Sequence, residues 1–160
     1  MVDQPHVLKS IRAMLMSHKI YLPEETVTEH CLPSNVVDME HVRAVVRYQD
    51  DQVMKLAPRL KEEDTDPKHF SKMDVASALH VFSHDTASAI RWLVNKRDYP
   101  ISYLSTAWFI DQVAQWFRLM SSRYGHSIFI EKEKTVSRQS IFNLIPSPMI
   151  YSVLPCNSLD

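Results

Sequence analysis

At 160 residues, 45% hydrophobic and 23% charged, the chain is long enough for one ordinary core and short for two comfortable domains. Its 18 Lys and Arg against 19 Asp and Glu leave a net charge of −1, so the total supplies no field that would draw it onto nucleic-acid phosphates. No apolar run approaches the roughly 20 residues of a membrane helix, which argues against a membrane protein. The opening MVDQPHVLKSIR mixes charge into its apolar residues and reads as something other than a secretory leader. Cys31 and Cys156 are far apart and form no C-x-x-C pair, so both are expected to be free thiols in a reducing compartment. Glycine occurs once, at Gly125. Walker A and Rossmann loops need glycines where backbone approaches phosphate, so both are excluded, and any nucleotide must be held by side chains and helix N-termini.

Taken in chain order, Val7, Leu8, Ile11, Met14 and Leu15 recur at helical spacing and predict an amphipathic helix over residues 6–18. Pro23, Pro33 and a Ser34-Asn35 turn signal make residues 19–37 a loop with at most a short helix over 24–30. Asp38 then caps a second helix, with Val42, Val45, Val46, Val53 and Met54 as its buried stripe, running to Ala57 before Pro58 stops it. Residues 61–66 are expected to be a solvated acidic loop around Glu62, Glu63 and Asp64, followed by a helix start at Asp66-Pro67. Residues 70–94 are expected to form the longest helix, carrying Met73, Ala76, Leu79, Phe82, Ala89, Ile90 and Leu93, with a break near His84 where the sequence turns polar. Tyr99-Pro100 separates it from a last helix over 102–122, whose Leu104, Phe109, Val113, Trp116, Phe117 and Met120 make a wide, mainly core stripe. His80 and His84 stand four apart on the first of these, but no third ligand falls in register, so an exposed face outweighs a metal pair. Beyond Arg123 a short strand at 127–130 gives way to a segment broken by Pro146, Pro148 and Pro155 and expected to pack poorly. The fold class expected is mainly α, an irregular domain of four to six helices.

The run KM-x-V-x-x-A-x-x-VFSH-x-x-A-x-AI from Lys72, followed by Thr106-Ala107-x-Phe109-Ile110 and Trp116-Phe117-x-Leu119-Met120-x-Ser122-Arg123, resembles the GTP-binding insertion domain of P-element-type DNA transposases. The resemblance covers roughly residues 3–123. It implies an insertion that interrupts an RNase H-like catalytic domain, and hence residues 1–20 as the end of a catalytic half, 21–124 as the insertion domain and 125–160 as an unassigned tail. Asp3, opening a D-x-x-H-x-x-K-x-x-R stretch, is similar to the second catalytic carboxylate of such enzymes and would be its Mg²⁺ ligand. A two-metal centre needs several carboxylates, so this stretch alone is expected to be unable to cut or join DNA.

The same resemblance implies GTP with Mg²⁺ as a structural cofactor, transposon-end DNA and a second copy as partners within a full transposase, and a nuclear location. Its nucleotide positions fall on Arg59, Asp74, Ser83, Ala114, Phe117 and Arg118. Arg59 offers a cation for phosphate, Ser83 a hydroxyl for Mg²⁺ or phosphate, and Phe117 a face for the purine. Asp74 sets a negative charge where the family carries a cation, while Ala114 and Arg118 replace the amide and carboxylate that would read guanine. Asp111 is the nearest alternative carboxylate. The competing expectation is a domesticated helical module that binds protein through an exposed apolar face, for which exposed Trp92, Trp108 or Trp116 would speak.

Overall fold

The computed structural model describes residues 3–66 and 74–121. These residues are mainly helical: α1 (Gln4–Ser17), α2 (Glu24–Glu29), α3 (Met39–Asp50), the single turn α4 (Glu62–Thr65), α5 (Val75–Val81), α6 (His84–Arg97) and α7 (Tyr103–Ser121). A two-stranded antiparallel ladder, β1 (Ile20–Tyr21) with β2 (Val36–Val37), closes the excursion that carries α2, pairing Ile20 with Val37 and Tyr21 with Val36. The prolines of that excursion hide a pairing too short to show as an alternating pattern.

The core lies where α6 and α7 pack along their length, with α1, α3 and α5 laid against them. Ala87, Ala89, Ile90 and Leu93 of α6 and Ala107, Ile110 and Val113 of α7 are buried in this core. Each such aliphatic side chain, removed from water, stabilises the fold by roughly 1.5–3 kcal/mol. Helix α1 is part of the same body: it packs on α5 and α7 through Leu8 and Leu15. Between those two leucines Arg12 is fully buried, its Nε donating to the Asp64 carbonyl at 3.0 Å and its Nη1 to the Asp74 carbonyl at 3.4 Å.

Helix ends follow local chemistry. Asp38 caps α3 by accepting from the Glu40 N–H at 3.0 Å, and Asp74 caps α5 by accepting from Ala76 and Ser77. With no glycine at hand, two C-terminal corners that glycine usually takes fall to other residues: Cys31 (φ 50°) after α2, where Leu32 N–H reaches back to the Val27 carbonyl at 2.9 Å, and Asp98 (φ 54°) after α6. Cys31 is exposed and a free thiol.

Three sequence expectations are corrected. Helix α3 ends at Asp50, not Ala57, because the buried Gln49 turns back into the chain, donating to the Leu60 carbonyl at 2.8 Å and accepting from the Ala57 N–H at 3.2 Å. Val53 and Met54 therefore stand fully in solvent instead of in the core. The acidic run is not uniformly solvated: Glu62 and Glu63 are exposed, but Asp64 is only 3% exposed. The segment expected as one long helix is two, α5 and α6, broken at Phe82 and Ser83 as the polar turn near His84 implied, which leaves α7 the longest described helix. The expected start at Asp66-Pro67 and the core role of Met73 fall on residues 67–73, and the expected strand and tail on residues beyond 121, outside the described residues. Cys156 lies there too.

His41 joins α3 to α7. Its ring stacks on Tyr103 with centroids 3.9 Å apart, and its Nδ1 lies 2.6 Å from the Thr106 hydroxyl, which also accepts from the Asp38 N–H. Burial lowers its pKa from the ordinary 6.5, Asp38 pushing the other way and Lys19 adding to the fall. Because the folded form resists the proton that the unfolded form accepts, the stabilisation is present above the unfolded pKa and is lost as pH falls below about 6.5 toward the folded value. Denaturant titrations should therefore show lower stability at pH 5.5 than at pH 7.5, and His41→Gln should flatten that difference.

Candidate nucleotide site at the start of α6

Helices α6 and α7 are joined by residues 98–102 and turn back on each other. Arg91 Nη2 donates to Asp111 Oδ2 at 2.5 Å, and His84 Nδ1 lies 3.2 Å from Asp111 Oδ1. His84 and Arg91 are two turns apart, so Asp111 sits level with the middle of that interval. Each step forward on α7 is matched by a step back on α6. By helical rise Phe117, about 9 Å further along α7 at 1.5 Å per residue, is level with the residues just before Ser83, which caps α6. Ser83, Ala114, Phe117 and Arg118 therefore lie toward the same end of the hairpin.

At that end Ser83 is an N-cap in the full sense: its Oγ accepts from the Thr86 N–H at 3.2 Å and lies 3.0 Å from the Thr86 hydroxyl, while donating to the His80 carbonyl at 3.0 Å. Thr86 Oγ1 donates to the same carbonyl at 2.9 Å. A 14-residue helix starts here, and its first two N–H groups, those of His84 and Asp85, lie outside the helical ladder at the positive end of the dipole. Ser83→Ala should cost about 1 kcal/mol of stability from the cap alone, read as a lower thermal midpoint with unchanged helicity by circular dichroism.

Phe117 is half-buried, its ring tilted against the Trp116 ring at a centroid distance of 6.5 Å, and Arg118 is exposed. Ala114 beside them is half-buried and brings no polar group. Asp111 cannot stand in for the missing carboxylate, since both its oxygens are engaged by Arg91 and His84. Arg59 is exposed on the irregular segment between α3 and α4. Asp74 is at the opposite end of α5 from Ser83, its carboxylate taken up by the Ala76 and Ser77 N–H groups and the Ser77 hydroxyl at 3.0 Å. Those bonds, the Ser77 hydroxyl first, hold its pKa below the usual carboxylate value of 3.8. Asp74 is thus a charged helix cap away from the Ser83 end.

Asp3 is exposed at the N-cap of α1, and its side chain makes no capping bond. Among the described residues no three His, Cys, Asp or Glu side chains converge where they could hold a metal ion. His80 and His84, four apart in sequence, are split by the α5–α6 break: His80 Nδ1 meets Asp64 Oδ2 at 3.1 Å, and His84 turns to Asp111. Sequence reasoning missed Asp64, His80 and Thr86. Two of the three carried a readable signal, since Lys61-x-x-Asp64 and Ser83-x-x-Thr86 both have the spacing of an N-terminal cap. Of the tryptophans, Trp92 and Trp108 are half-buried and Trp116 is buried, so none marks an exposed apolar face.

The described residues form a mainly helical domain whose sixth helix starts on the Ser83 cap, with no glycine among them to build a phosphate loop. The family model described as "TNP-like, GTP-binding insertion domain" matches residues 5–133, and the chain belongs to that family. Among solved structures, the Drosophila P element transposase strand transfer complex shares the fold at a TM-score of 0.67 and 20% identity, the match covering 88% of this chain and 31% of that one. The chain thus spans about a third of the transposase chain it resembles. Comparison with curated proteins finds no match. Among the described residues no helix is long and apolar enough to cross a membrane.

Proposed function

We propose that this domain binds a purine nucleoside triphosphate with Mg²⁺ at the Ser83 end of the α6–α7 hairpin, with guanine selectivity weakened. What supports this reading is membership of the GTP-binding insertion family, together with the helical rise that puts Ser83, Phe117 and Arg118 toward one end of the hairpin. The phosphates would lie over the α6 N-terminus, where N–H groups and dipole favour an anion, with Arg59 and Arg118 as cations. Ser83 would offer its hydroxyl to Mg²⁺, which would supply positive charge to offset that of the phosphates. The purine would stack on Phe117. Guanine is told from adenine by an acceptor for its N1 and N2 protons, and Ala114 and Arg118 offer none.

The nucleotide acts as a structural cofactor in this reading, ordering the domain for its place in a longer transposase acting on transposon-end DNA in the nucleus, with a second copy as assembly partner. The likeness to the P element strand transfer complex supports that setting. Cutting and joining would require carboxylates additional to Asp3. A titration of the purified chain with fluorescent GTP and ATP in Mg²⁺ tests the reading. Saturable binding of both, weakened in Phe117→Ala and Ser83→Ala, is the expected result. A folded chain that binds neither would overturn it.

A further inference from the structure

The segment that bears Arg59 and the helix start that bears Ser83 are separate in sequence, and a part-buried polar contact links them. Asp64 Oδ2 accepts from the Lys61 N–H at 3.0 Å, closing the α4 turn, and lies 3.1 Å from His80 Nδ1. Asp64 is itself pinned from beneath, its carbonyl accepting from Arg12 Nε at 3.0 Å. His80 is held by its ring on one side and on the other offers its carbonyl to both hydroxyls of the α6 cap, Ser83 and Thr86. Residue 80 therefore touches Asp64 with its side chain and Ser83 with its backbone. A shift of the α4 turn moves the His80 ring, and a shift of the ring moves the carbonyl that orients the Ser83 hydroxyl.

We propose that the Asp64–His80 pair is a positioning device that makes the residue 57–66 segment and the α6 N-terminus one mechanical unit, so that occupancy at Ser83 is felt at Arg59. His80 and Asp64 hold the elements that carry the ligand-binding groups and need not touch the ligand. The involvement of a ligand rests on the nucleotide reading above; the coupling between the two segments does not.

Hydrogen exchange of the full chain, mapped by peptides, separates the two. In His80→Leu, amides in residues 57–66 and in residues 82–87 should both exchange about tenfold faster or more, while α7 core amides keep their protection. His80→Gln, which keeps a side-chain donor toward Asp64, should restore both. Asp64→Asn, which retains an acceptor for the Lys61 N–H, is the milder second variant should the leucine fail to fold, and should loosen the same two segments together. Loosening of one segment without the other, in a folded variant, would overturn the coupling. With GTP and Mg²⁺ added, both segments should slow in the wild type, and in His80→Leu residues 57–66, left with only the Arg59 contact to the ligand, should slow less than residues 82–87. Equal slowing of both in the variant would overturn the coupling. A wild type that ignores nucleotide while showing the paired loosening would sink the nucleotide reading alone.

Discussion

Arg12→Met should destabilise the fold by about 3 kcal/mol or more, the largest loss from any single polar side chain here. Arg12 is fully buried in α1 and binds two carbonyls from different segments of the chain, Asp64 within α4 and Asp74 at the N-cap of α5. Burial pulls the pKa of its guanidinium down, and the nearby charges of Asp64 and Asp74 push it back up. Methionine fills much of the volume but leaves the Asp64 and Asp74 carbonyls without these donors and the 3%-exposed Asp64 without a neighbouring cation. Arg12→Lys should recover only part of the loss, because one ammonium cannot reproduce the planar fork that spans both carbonyls. Urea midpoints of the three chains, with equal slopes, check this. A loss below about 1 kcal/mol for methionine would show that the packing of Leu8 and Leu15 holds α1 without the arginine.

The double replacement Ala114→Asn, Arg118→Asp should create a preference for GTP over ATP of about tenfold or more, where the parent chain discriminates little. A carboxylate accepting from two base donors is worth roughly 1–3 kcal/mol of discrimination against a base that lacks them. Both positions lie on α7 within one turn of Phe117, so the new groups would flank a purine stacked there. Competition of unlabelled GTP and ATP against one fluorescent nucleotide measures the ratio directly. An unchanged ratio with intact binding would mean that the base lies elsewhere than beside Phe117.

What could be read from the sequence depended on whether a residue's role was set locally. The α7 stripe and the break between α5 and α6 were legible because periodicity and a polar run are local signals. The family was legible from ordered motifs. The course of residues 51–66 was not, because Gln49 and Asp64 act through partners between 8 and 16 residues away, and a buried carboxylate looks like its exposed neighbours in a sequence. The burial of Arg12 was equally illegible, since a charge on an amphipathic helix carries no local sign that it faces inward. For the site, the family resemblance nominates Ser83, Phe117 and Arg59 as hydroxyl, ring and cation, whereas the commitment of Asp111 to Arg91 and His84 appears only in three dimensions.

The place where a nucleotide base comes to rest decides most directly whether the Ser83 end of the α6–α7 hairpin is the site. Photo-crosslinking with 8-azido-GTP in Mg²⁺, followed by peptide mapping, would report it. Label concentrated in residues 114–121, blocked by excess GTP or ATP and much reduced in Phe117→Ala, is the predicted result. Specific label on α2, the β1–β2 ladder or the exposed Val53-Met54 segment, with residues 114–121 unmarked, would contradict it.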